Sequence, residues 1–330
     1  MFKETIDCID AGTEFCPCHL AESGECILCS QLQGIHFCDC LNWKGVCIYQ
    51  EFYDNGNKAK ESRKTYSCKV SEKILYPEDV LIVKFEAPHK LVIDLSRPGS
   101  FIFVRSEENV YFDVPISILE ANTETNIISI MIEIRGVKTK KLLDIEAGGE
   151  IIIRGPYWNG VFGLKNIGKQ KNNEALVIAR GIGMAPMIPV LQKLVENDNK
   201  VTLIIDKQPF NDIYVNEWLD KLDIVIQEMN LIDKGELSPE CKVAIKSLIK
   251  YNNISLIHIA GADILTYNII DFLDSLDRKD IDLSCCNNFK MCCGEGVCGS
   301  CTARFSGHRV KRFCKVQASP RGIFEGRRFI

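Results

Sequence analysis

The sequence lacks the features of membrane, nucleic-acid-binding and secreted proteins. No apolar run approaches the ~20 residues that a transmembrane helix needs. The net charge is −4, so the composition provides no basic surface for nucleic acid. The first residues, MFKETIDCIDAG, contain no apolar signal-peptide core. The sequence therefore predicts a cytoplasmic protein that binds neither nucleic acid nor a membrane.

Cysteine is almost absent from the middle of the chain and dense at both ends. Of 17 cysteines in 330 residues, eight lie between Cys8 and Cys47, and seven lie between Cys285 and Cys314. Cytosolic thiols rarely form structural disulfides, so this density indicates metal or redox chemistry. The distribution predicts a metal-binding segment at each end of the chain.

The middle of the chain begins with a pattern of short strands. Between about residues 69 and 162, β-branched runs are separated by Gly, Pro, Asn and Asp, which predicts six strands in an antiparallel barrel. These runs are VLIVKFEA, LVIDL, SFIFVR, VPISILEA, NIISIMIEI and EIIIRG. The polar stretch 54–64 before them is interpreted as a linker, with an exposed helix as the alternative.

From about residue 173 to 280 the pattern changes to strand–helix alternation, which predicts a parallel sheet with right-handed crossovers. The predicted strands are EALVIA, VTLIID, DIVIQEM and SLIHIAG, and the predicted helices are MIPVLQKLVEND, NEWLDKL, KVAIKSLIKYN and ILTYNIIDFLDSL. The tail from Asp282 onward is irregular and rich in cysteine. The fold class is thus multidomain, with an all-β unit and an α/β unit between two Cys-rich ends.

The C-terminal cysteines have the spacing of a plant-type [2Fe–2S] site. Their pattern is Cys293-x4-Cys298-x2-Cys301-x12-Cys314. Glycines between them permit the positive φ angles that a loop around a cluster needs: Gly294, Gly296 and Gly299. A zinc site and unligated thiols are the alternatives, but zinc knuckles usually pair two C-x2–4-C hooks and one hook is missing here. The cysteines left outside the predicted ligand set are Cys285, Cys286 and Cys292.

A Gly-x-Gly turn follows the first predicted strand of the α/β unit. Gly181 and Gly183 stand where a helix N-terminus and bare backbone amides can receive a phosphate, although many such turns need glycine for steric reasons alone. Asp206 ends the next predicted strand, where a carboxylate accepts a hydrogen bond from a ribose 2′-hydroxyl. That position favours NADH over NADPH. The alternative for Asp206 is a simple turn residue.

Seven segments occur in an order that resembles one family: PGSFIFVR, VPISI, GVKT, GPYWNGVF, ARGIGMAP, IAGAD and MCCGEGVCGSC. From about residue 70 to 325 the chain resembles the electron-transfer subunit of class-B dihydroorotate dehydrogenase. Its relatives include the small subunits of sulfide dehydrogenase and of bifurcating NADH-dependent ferredoxin–NADP oxidoreductases. The resemblance implies an FAD-binding barrel, a ferredoxin-reductase-like NAD(P)-binding domain and a C-terminal [2Fe–2S] domain. It also implies a partner, either a catalytic oxidoreductase subunit or a ferredoxin-like electron carrier.

Combined with the periodic patterns, the resemblance divides the chain into four predicted domains. They are a Cys-rich metal-binding domain at 1–68, the FAD-binding barrel at 69–165, the NAD(P)-binding domain at 166–281 and the [2Fe–2S] domain at 282–330. The resemblance, together with the Gly-x-Gly turn and the position of Asp206 at a strand end, predicts the residues that bind the flavin and the nicotinamide. They are Val114, Pro115, Ile116, Ser117, Met131, Ile132, Glu133, Gly136, Lys138, Thr139, Gly181, Gly183, Asp206 and Gly261.

Several of these positions depart from the family pattern. Val114 stands where the family has arginine, so a cation expected near the FAD phosphates is absent, and Glu133 matches a family arginine on the next strand. Lys138 replaces the second glycine of the family's Gly-x-Gly-Thr and could restore positive charge there. In the nicotinamide unit, Arg180 lies in the Gly turn and Ala260 replaces a cysteine.

The N-terminal cysteines lie outside the resemblance. Two C-x-C pairs and one C-x2-C can converge on a metal, and thiolates select iron–sulfur clusters or zinc. A [4Fe–4S] cluster is favoured over zinc because the other end of the chain already has a redox site. The predicted ligands are Cys16, Cys18, Cys26, Cys29, Cys38, Cys40 and Cys47.

The sequence therefore predicts an NAD(P)H-dependent oxidoreductase subunit that passes electrons between NADH, FAD, a [2Fe–2S] cluster and a partner protein. It displays no catalytic triad and no pair of catalytic carboxylates. The alternative is a non-enzymatic iron–sulfur wiring or redox-sensing subunit whose nucleotide sites have decayed, which Val114, Glu133 and Ala260 favour. A zinc-based interaction module fits the N-terminal segment alone.

Overall fold

The structure is a computed structural model that describes residues 7–38, 43–107, 113–307 and 309–324. Cys40, one of the predicted N-terminal ligands, lies outside the described residues. No helix in the described part of the chain combines the length and the hydrophobicity of a membrane span.

The N-terminal segment has little regular structure. Its elements are strand β1 (Asp7–Cys8), helix α1 (His19–Glu22), the 3-10 turn Gln31–Gln33 and helix α2 (Ile48–Asp54). Four buried apolar side chains form its small core: Ala21, Leu32, Ile48 and Phe52. A core of this size contributes little stability by itself. After α2 the chain runs through turns and irregular backbone from residue 55 to residue 63, so the alternative of an exposed helix is wrong for these residues.

The second unit is a closed antiparallel barrel, as predicted. Its elements are β2 (Lys64–Tyr76), β3 (Val80–Glu86), α3 (His89–Leu95), β4 (Phe101–Arg105), β5 (Val114–Asn122), β6 (Ile127–Glu133), α4 (Val137–Lys140), the 3-10 turn Lys141–Asp144 and β7 (Glu150–Tyr157). The strands close in the order β2-β3-β6-β5-β4-β7. Apolar side chains fill the interior, among them Val83, Ile130 and Ile151, each fully buried. Closure pairs every strand on both sides and leaves no open edge in the barrel.

One of the six predicted barrel strands is wrong. LVIDL lies in helix α3, where Leu91, Val92 and Leu95 are buried along one face at helical spacing. The sixth strand is β2, which the sequence analysis missed. Most β2 side chains are exposed or half-buried, and Cys68 and Val70 are its buried positions. A mostly polar strand carries a weak alternating signal, so its periodicity was hidden.

The third unit is an α/β sheet with helices packed on it. Its elements are β8 (Val161–Phe162), α5 (Leu164–Lys169), β9 (Glu174–Arg180), the 3-10 turn Gly181–Gly183, α6 (Met184–Glu196), β10 (Lys200–Asp206), α7 (Asn216–Leu219), β11 (Val225–Glu228), β12 (Ile232–Asp233), β13 (Glu236–Leu237), α8 (Pro239–Tyr251), β14 (Leu256–Ala260), α9 (Asp263–Ser275) and β15 (Asp282–Cys286). The strand order is β11-β10-β9-β14-β15-β8, and β12 and β13 form a separate hairpin.

The predicted strand–helix alternation is confirmed for all eight elements. The sheet itself is mixed: β11, β10, β9, β14 and β15 run parallel, and β8 is antiparallel to β15. The prediction that the chain is irregular from Asp282 onward is wrong for four short strands, of which the first five residues form one. That strand is β15, whose side chains from Leu283 to Cys286 are buried between β14 and β8.

The C-terminal residues return to the N-terminal segment. Their elements are β16 (Thr302–Phe305), β17 (Arg309–Arg312), β18 (Val316–Gln317) and the 3-10 turn Pro320–Gly322. β16 and β17 form an antiparallel pair. β18 pairs with β1, and Cys8 lies opposite Val316. The two Cys-rich ends of the chain are therefore neighbours in the fold.

Gly183 is required by the packing of the α/β sheet. A Cβ at this position would lie 2.2 Å from the carbonyl oxygen of Ala260 and 2.7 Å from the backbone nitrogen of Gly261. Overpacking against rigid backbone typically costs 1–3 kcal/mol, so we expect Gly183→Ala to lower the free energy of unfolding by about 3 kcal/mol. Chemical denaturation measures this change.

Gly168→Ala is the matched control. A Cβ at Gly168 in α5 meets no atom within 4 Å, and alanine is about 1 kcal/mol better than glycine inside a helix. Its unfolding free energy should be unchanged or raised. Equal destabilisation by the two substitutions would contradict the packing argument.

Candidate functional site

A cavity of about 450 Å³ opens between the barrel and the α/β sheet. Strands β5 and β6 form one wall, and the turns after β9, β14 and β15 form the opposite wall. This volume is typical of small-molecule sites, and the carboxyl edge of a parallel sheet is where such ligands bind. The cavity gathers eleven of the fourteen predicted cofactor residues: Val114, Pro115, Ile116, Ser117, Met131, Ile132, Glu133, Thr139, Gly181, Gly183 and Gly261.

The structure does not bring Gly136, Lys138 or Asp206 into the cavity lining. The Asp206 carboxylate is buried and fully engaged. It accepts hydrogen bonds from Arg180 Nε at 2.9 Å and from the backbone N–H groups of Gln208 and Leu231, each at 3.0 Å. These contacts support the alternative that Asp206 is a structural turn residue.

Sequence reasoning missed the wall that follows β15. Cys286, Asn287 and Asn288 line the cavity there. Burial raises the pKa of Cys286 to about 12, so its thiol is neutral. Asn288 donates to the carbonyl oxygen of Gly261 at 2.7 Å and holds the loop after β14 in place. The run DLSCC could have predicted this wall, because a strand at that position extends the sheet to Cys286.

The charge of the barrel wall is set by an ion pair. The Arg135 guanidinium contacts the Glu133 carboxylate at 2.5 Å, and both side chains line the cavity. The Thr139 hydroxyl accepts from the backbone N–H groups of Arg135 at 3.0 Å and Gly136 at 3.1 Å, and so closes the turn before α4. Glu133 therefore neutralises the arginine nearest to it.

The cavity can be compared with the parts of a flavin nucleotide. Pro115, Ile116 and Ile132 offer an apolar wall of the kind that an isoalloxazine ring needs. A pyrophosphate needs cations or unengaged N–H donors, and Glu133 and Thr139 already engage those of the Arg135 turn. The lining thus fits the ring system well and supplies less positive charge than a pyrophosphate favours.

The four predicted C-terminal ligands lie together in two thiol pairs. Cys293 hydrogen-bonds with Cys298, and Cys301 hydrogen-bonds with Cys314. Cys314 also interacts electrostatically with Cys293, which links the two pairs. A [2Fe–2S] cluster takes two protein ligands on each of its two irons, so two pairs of thiols fit its chemistry.

Backbone geometry supports the same grouping. The N–H of Glu295 donates to Cys293 Sγ and the N–H of Cys314 donates to Cys301 Sγ, each at 3.3 Å. The predicted positive φ angles are present at all three loop glycines, with values of 72°, 78° and 74° at Gly294, Gly296 and Gly299. In the described chain, no group of three or more His, Cys, Asp and Glu side chains is positioned to hold a metal ion.

Hydrogen bonds lower the pKa of one thiol in each pair. The hydrogen bond with Cys314 lowers the pKa of Cys301 to about 6, and it raises that of Cys314. Burial disfavours the Cys298 thiolate, but hydrogen bonds from Ser300 and Cys293 outweigh it and lower its pKa to about 7. One thiol in each pair therefore ionises near neutral pH, whereas a bound cluster requires all four cysteines as thiolates.

Four buried charged side chains connect the C-terminal cysteine loop with the N-terminal segment. Arg63 contacts both carboxylate oxygens of Asp10, at 2.6 and 3.0 Å, and reaches Glu295 at 2.9 Å. Lys315 contacts Glu295 at 2.8 Å and also Asp10. We call these four residues the buried ion network. Its charges sum to zero, which is the condition for burying them together.

The carboxylates of the buried ion network are held ionised. Burial opposes the ionisation of Asp10 and Glu295, but attraction from Lys315 and Arg63 outweighs it and lowers both pKa values. Strand β7 supports the same loop. The Tyr157 hydroxyl donates to Glu295 at 3.2 Å, and Arg154 donates to the Cys293 carbonyl at 3.1 Å.

The N-terminal cysteines separate into two groups. Cys16, Cys18 and Cys26 line one small cavity together with Cys8, which the sequence analysis left outside the ligand set. Cys29 lies beside it, and its N–H donates to Cys26 Sγ at 3.4 Å. The two remaining described candidates do not line this cavity: Cys38 is exposed and Cys47 precedes helix α2.

The buried ion network should dominate the stability of this region. Asp10→Asn keeps the side-chain shape but leaves two buried cations facing one carboxylate, so we expect it to lower the free energy of unfolding by about 3–5 kcal/mol. Denaturant unfolding at neutral pH measures the loss. The control, Asp280→Asn, removes the exposed pair with Arg278 and should cost at most about 1 kcal/mol.

Comparing wild type with Asp10→Asn at different pH values gives a second test. The pKa of Asp10 is lowered in the folded protein from 3.8, so its stabilising effect is complete above that pH and is lost as the pH falls through the lowered value. The stability difference between wild type and Asp10→Asn should therefore shrink in acid below about pH 4. A difference that is constant down to pH 2 would contradict the assignment.

Several known proteins with similar sequences are electron transfer subunits. The chain is 28% identical over 226 residues to the electron transfer subunit of dihydroorotate dehydrogenase B (NAD(+)) from Clostridium acetobutylicum, covering 66% of this chain and 82% of that protein. The probable counterpart from Archaeoglobus fulgidus is 27% identical over 212 residues, covering 62% and 79%. The counterpart from Desulforamulus reducens is 24% identical over 252 residues, covering 74% and 90%. No protein-family model matches the sequence.

Solved structures share the fold. The NADH-dependent reduced ferredoxin–NADP oxidoreductase superposes with a TM-score of 0.59 and 18% identity, over 75% of this chain and 85% of that one. The ferredoxin reductase of carbazole 1,9a-dioxygenase gives a TM-score of 0.51 and 16% identity, over 69% and 70%. The resemblance inferred from the motifs is confirmed: the sequence is similar to electron transfer subunits of dihydroorotate dehydrogenase B, and the barrel and sheet have the ferredoxin-reductase fold.

Proposed function

We propose that the protein is the electron-transfer subunit of an NAD(P)H-dependent flavin and iron–sulfur oxidoreductase. It passes electrons between a nicotinamide, FAD, a [2Fe–2S] cluster and a catalytic partner subunit or ferredoxin-like carrier. The observation that carries the proposal is the cavity between barrel and sheet, which unites residues expected for a flavin with residues expected for a nicotinamide. The similarity to electron transfer subunits supports the partner.

Four units share this work in the proposal. The N-terminal segment, 1–68, binds metal through its cysteines, with a [4Fe–4S] cluster favoured over zinc. Residues 69–165 bind FAD, 166–281 bind the nicotinamide, and 282–330 bind the [2Fe–2S] cluster. A cytoplasmic location stays a prediction from the sequence.

The barrel side of the cavity would hold the flavin. When bound, FAD supplies the exchange between two-electron hydride chemistry and single-electron chemistry. Pro115 and Ile116 provide an apolar wall that excludes water, and Ser117 adds a hydroxyl beside it. The turn at Gly181–Gly183 and the start of α6 face the same space and would receive a nucleotide phosphate. The preference for NADH stays a prediction, because Arg180 and two backbone N–H groups already engage Asp206.

The C-terminal loop would hold the [2Fe–2S] cluster. Cys293 and Cys298 would ligate one iron, and Cys301 and Cys314 the other. The N–H groups that donate to Cys293 and Cys301 stabilise negative charge on sulfur, which raises the reduction potential.

A second function is supported by one contact. The Glu133–Arg135 ion pair removes positive charge from the cavity wall where the family has arginine. A wiring or redox-sensing subunit that carries electrons through its clusters without nucleotide turnover would have such a wall. Flavin content separates the two functions, because the wiring subunit would retain its clusters and lack FAD.

Anaerobic titration with NADH tests the proposed function. We expect the purified protein to contain flavin that bleaches on addition of NADH, followed by a rhombic paramagnetic signal from the reduced [2Fe–2S] cluster. Bound flavin that NADH does not bleach would refute the hydride step.

A neighbouring pair of cysteines tests the ligand set. Cys293→Ser should lose the rhombic signal, whereas Cys292→Ser should keep it, because Cys292 is exposed and lies outside the two thiol pairs. The measurement is electron paramagnetic resonance after chemical reduction. Loss of the signal in Cys292→Ser with retention in Cys293→Ser would refute the assignment.

Reversing the charge at Glu133 should strengthen FAD binding. Glu133→Arg restores a cation and releases Arg135, and a charge-assisted hydrogen bond contributes about 1.5–3 kcal/mol. The FAD dissociation constant, measured by flavin fluorescence, should fall by about tenfold or more. The control is Glu146→Arg, an exposed position outside the cavity, which should leave it unchanged. A weaker affinity in Glu133→Arg would contradict the electrostatic reading of this wall.

A further inference from the structure

The small cavity of the N-terminal segment is lined by four cysteines: Cys8, Cys16, Cys18 and Cys26. Cys18 directly precedes helix α1, and it lies between Cys16 and Cys26 in the chain. Four thiols around one cavity match the ligand number of an iron–sulfur cluster. They come from β1 and from the loops on both sides of α1, so the fold, and not sequence spacing alone, gathers them.

Backbone groups hydrogen-bond with two of these four sulfurs, as they do with two sulfurs of the C-terminal cysteine loop. The N–H of Cys29 donates to Cys26 Sγ at 3.4 Å, and the backbone of Gly12 hydrogen-bonds with Cys16. N–H groups aimed at cysteine sulfur are a means of tuning iron–sulfur sites. The N-terminal cavity thus has the same two devices, grouped thiols and N–H donors, as the proposed [2Fe–2S] loop.

A buried cation faces both groups of cysteines. The Lys315 side chain is fully buried and directly follows Cys314 in the chain. Its ammonium group contacts Asp10, which lines the cavity together with the four cysteines. Thiolate ligands leave a cluster with net negative charge, and a buried ammonium group offsets the cost of placing that charge inside the protein.

The two groups of cysteines are also close in space. Cys8 pairs with Val316 across the β1–β18 ladder, two residues beyond Cys314. Their Cα atoms are therefore separated by at most about 13 Å, given the usual cross-strand spacing and the step between consecutive Cα atoms. Leu20 packs against Gly296 in the C-terminal loop. A separation of this order allows electron tunnelling through protein.

We propose that Cys8, Cys16, Cys18 and Cys26 bind a second iron–sulfur cluster that exchanges single electrons with the [2Fe–2S] centre. The inference rests on the proposed function for the C-terminal centre. In each exchange the reduced [2Fe–2S] centre loses one electron and the second cluster gains it, and no bond or proton is transferred. A reduced nicotinamide is the electron source, and electrons run in the opposite direction when the partner is the donor.

Metal analysis of the full chain, purified without oxygen, tests the ligand set. Wild type should contain about four irons if the second cluster is [2Fe–2S], or about six if it is [4Fe–4S], with matching sulfide. Cys8→Ser and Cys18→Ser should each fall to about two irons and keep the rhombic signal of the C-terminal centre.

Two cysteine variants are the matched controls. Cys47→Ser should keep the wild-type iron content, because Cys47 does not line the cavity. Cys29→Ser should also keep it, because serine retains the backbone N–H that donates to Cys26. Iron loss in Cys29→Ser or Cys47→Ser with retention in Cys8→Ser would overturn the ligand set. Zinc in place of the additional iron would overturn the cluster.

Spin counting on the wild-type protein tests the second cluster even if a cysteine variant fails to fold. Reduction by dithionite should produce about two unpaired spins per chain, one from each cluster, with signals broadened by their proximity. One spin and about two irons per chain would refute the second cluster, and it would leave intact the proposed path from the nicotinamide through FAD to the C-terminal centre. Absence of the rhombic signal from wild type would instead refute the proposed function, so the two failures are distinguishable.

Discussion

The buried ion network joins parts of the chain that are far apart in sequence. Asp10 comes from the N-terminal segment, Arg63 from the entry to the barrel, and Glu295 and Lys315 from the cysteine loop. Removing any one of these charges leaves its neighbours buried without compensation, which is a large penalty. The N-terminal segment has a small apolar core, so its position depends on these charges and on the β1–β18 pairing more than on hydrophobic burial.

Strand β7 connects the barrel with the cysteine loop. This strand closes the barrel, and its Tyr157 and Arg154 side chains hold the loop that carries Cys293. Gly294 lies so close to the Tyr157 ring that a Cβ there would come within 2.4 Å of it. The loop is thus pressed against the rigid part of the molecule, which keeps a cluster bound there in a constant position relative to the barrel.

Much of the fold could be predicted from the sequence, because barrel and sheet depend on local periodicity. The exceptions have physical causes. LVIDL has the composition of a strand, but its buried apolar residues have the spacing of a helix. Packing of that apolar face against the rest of the fold favours the helix. Strand β2 is mostly solvent-facing and left a weak pattern. Most of the predicted cofactor residues meet in one cavity, whereas the roles of Asp206, Cys8 and Cys286 depend on contacts between distant segments, which no local pattern encodes.

The pairing of β1 with β18 has a consequence for synthesis of the protein. Cys8 meets its partner Val316 only after the roughly 300 residues between them have been synthesised. At 5–20 residues per second, the first cysteines wait roughly 15–60 s for the strand and the lysine that complete their surroundings. During that interval their thiols are open to oxygen and to stray metal ions. The β1–β18 pairing therefore completes the surroundings of the N-terminal cysteines late in synthesis.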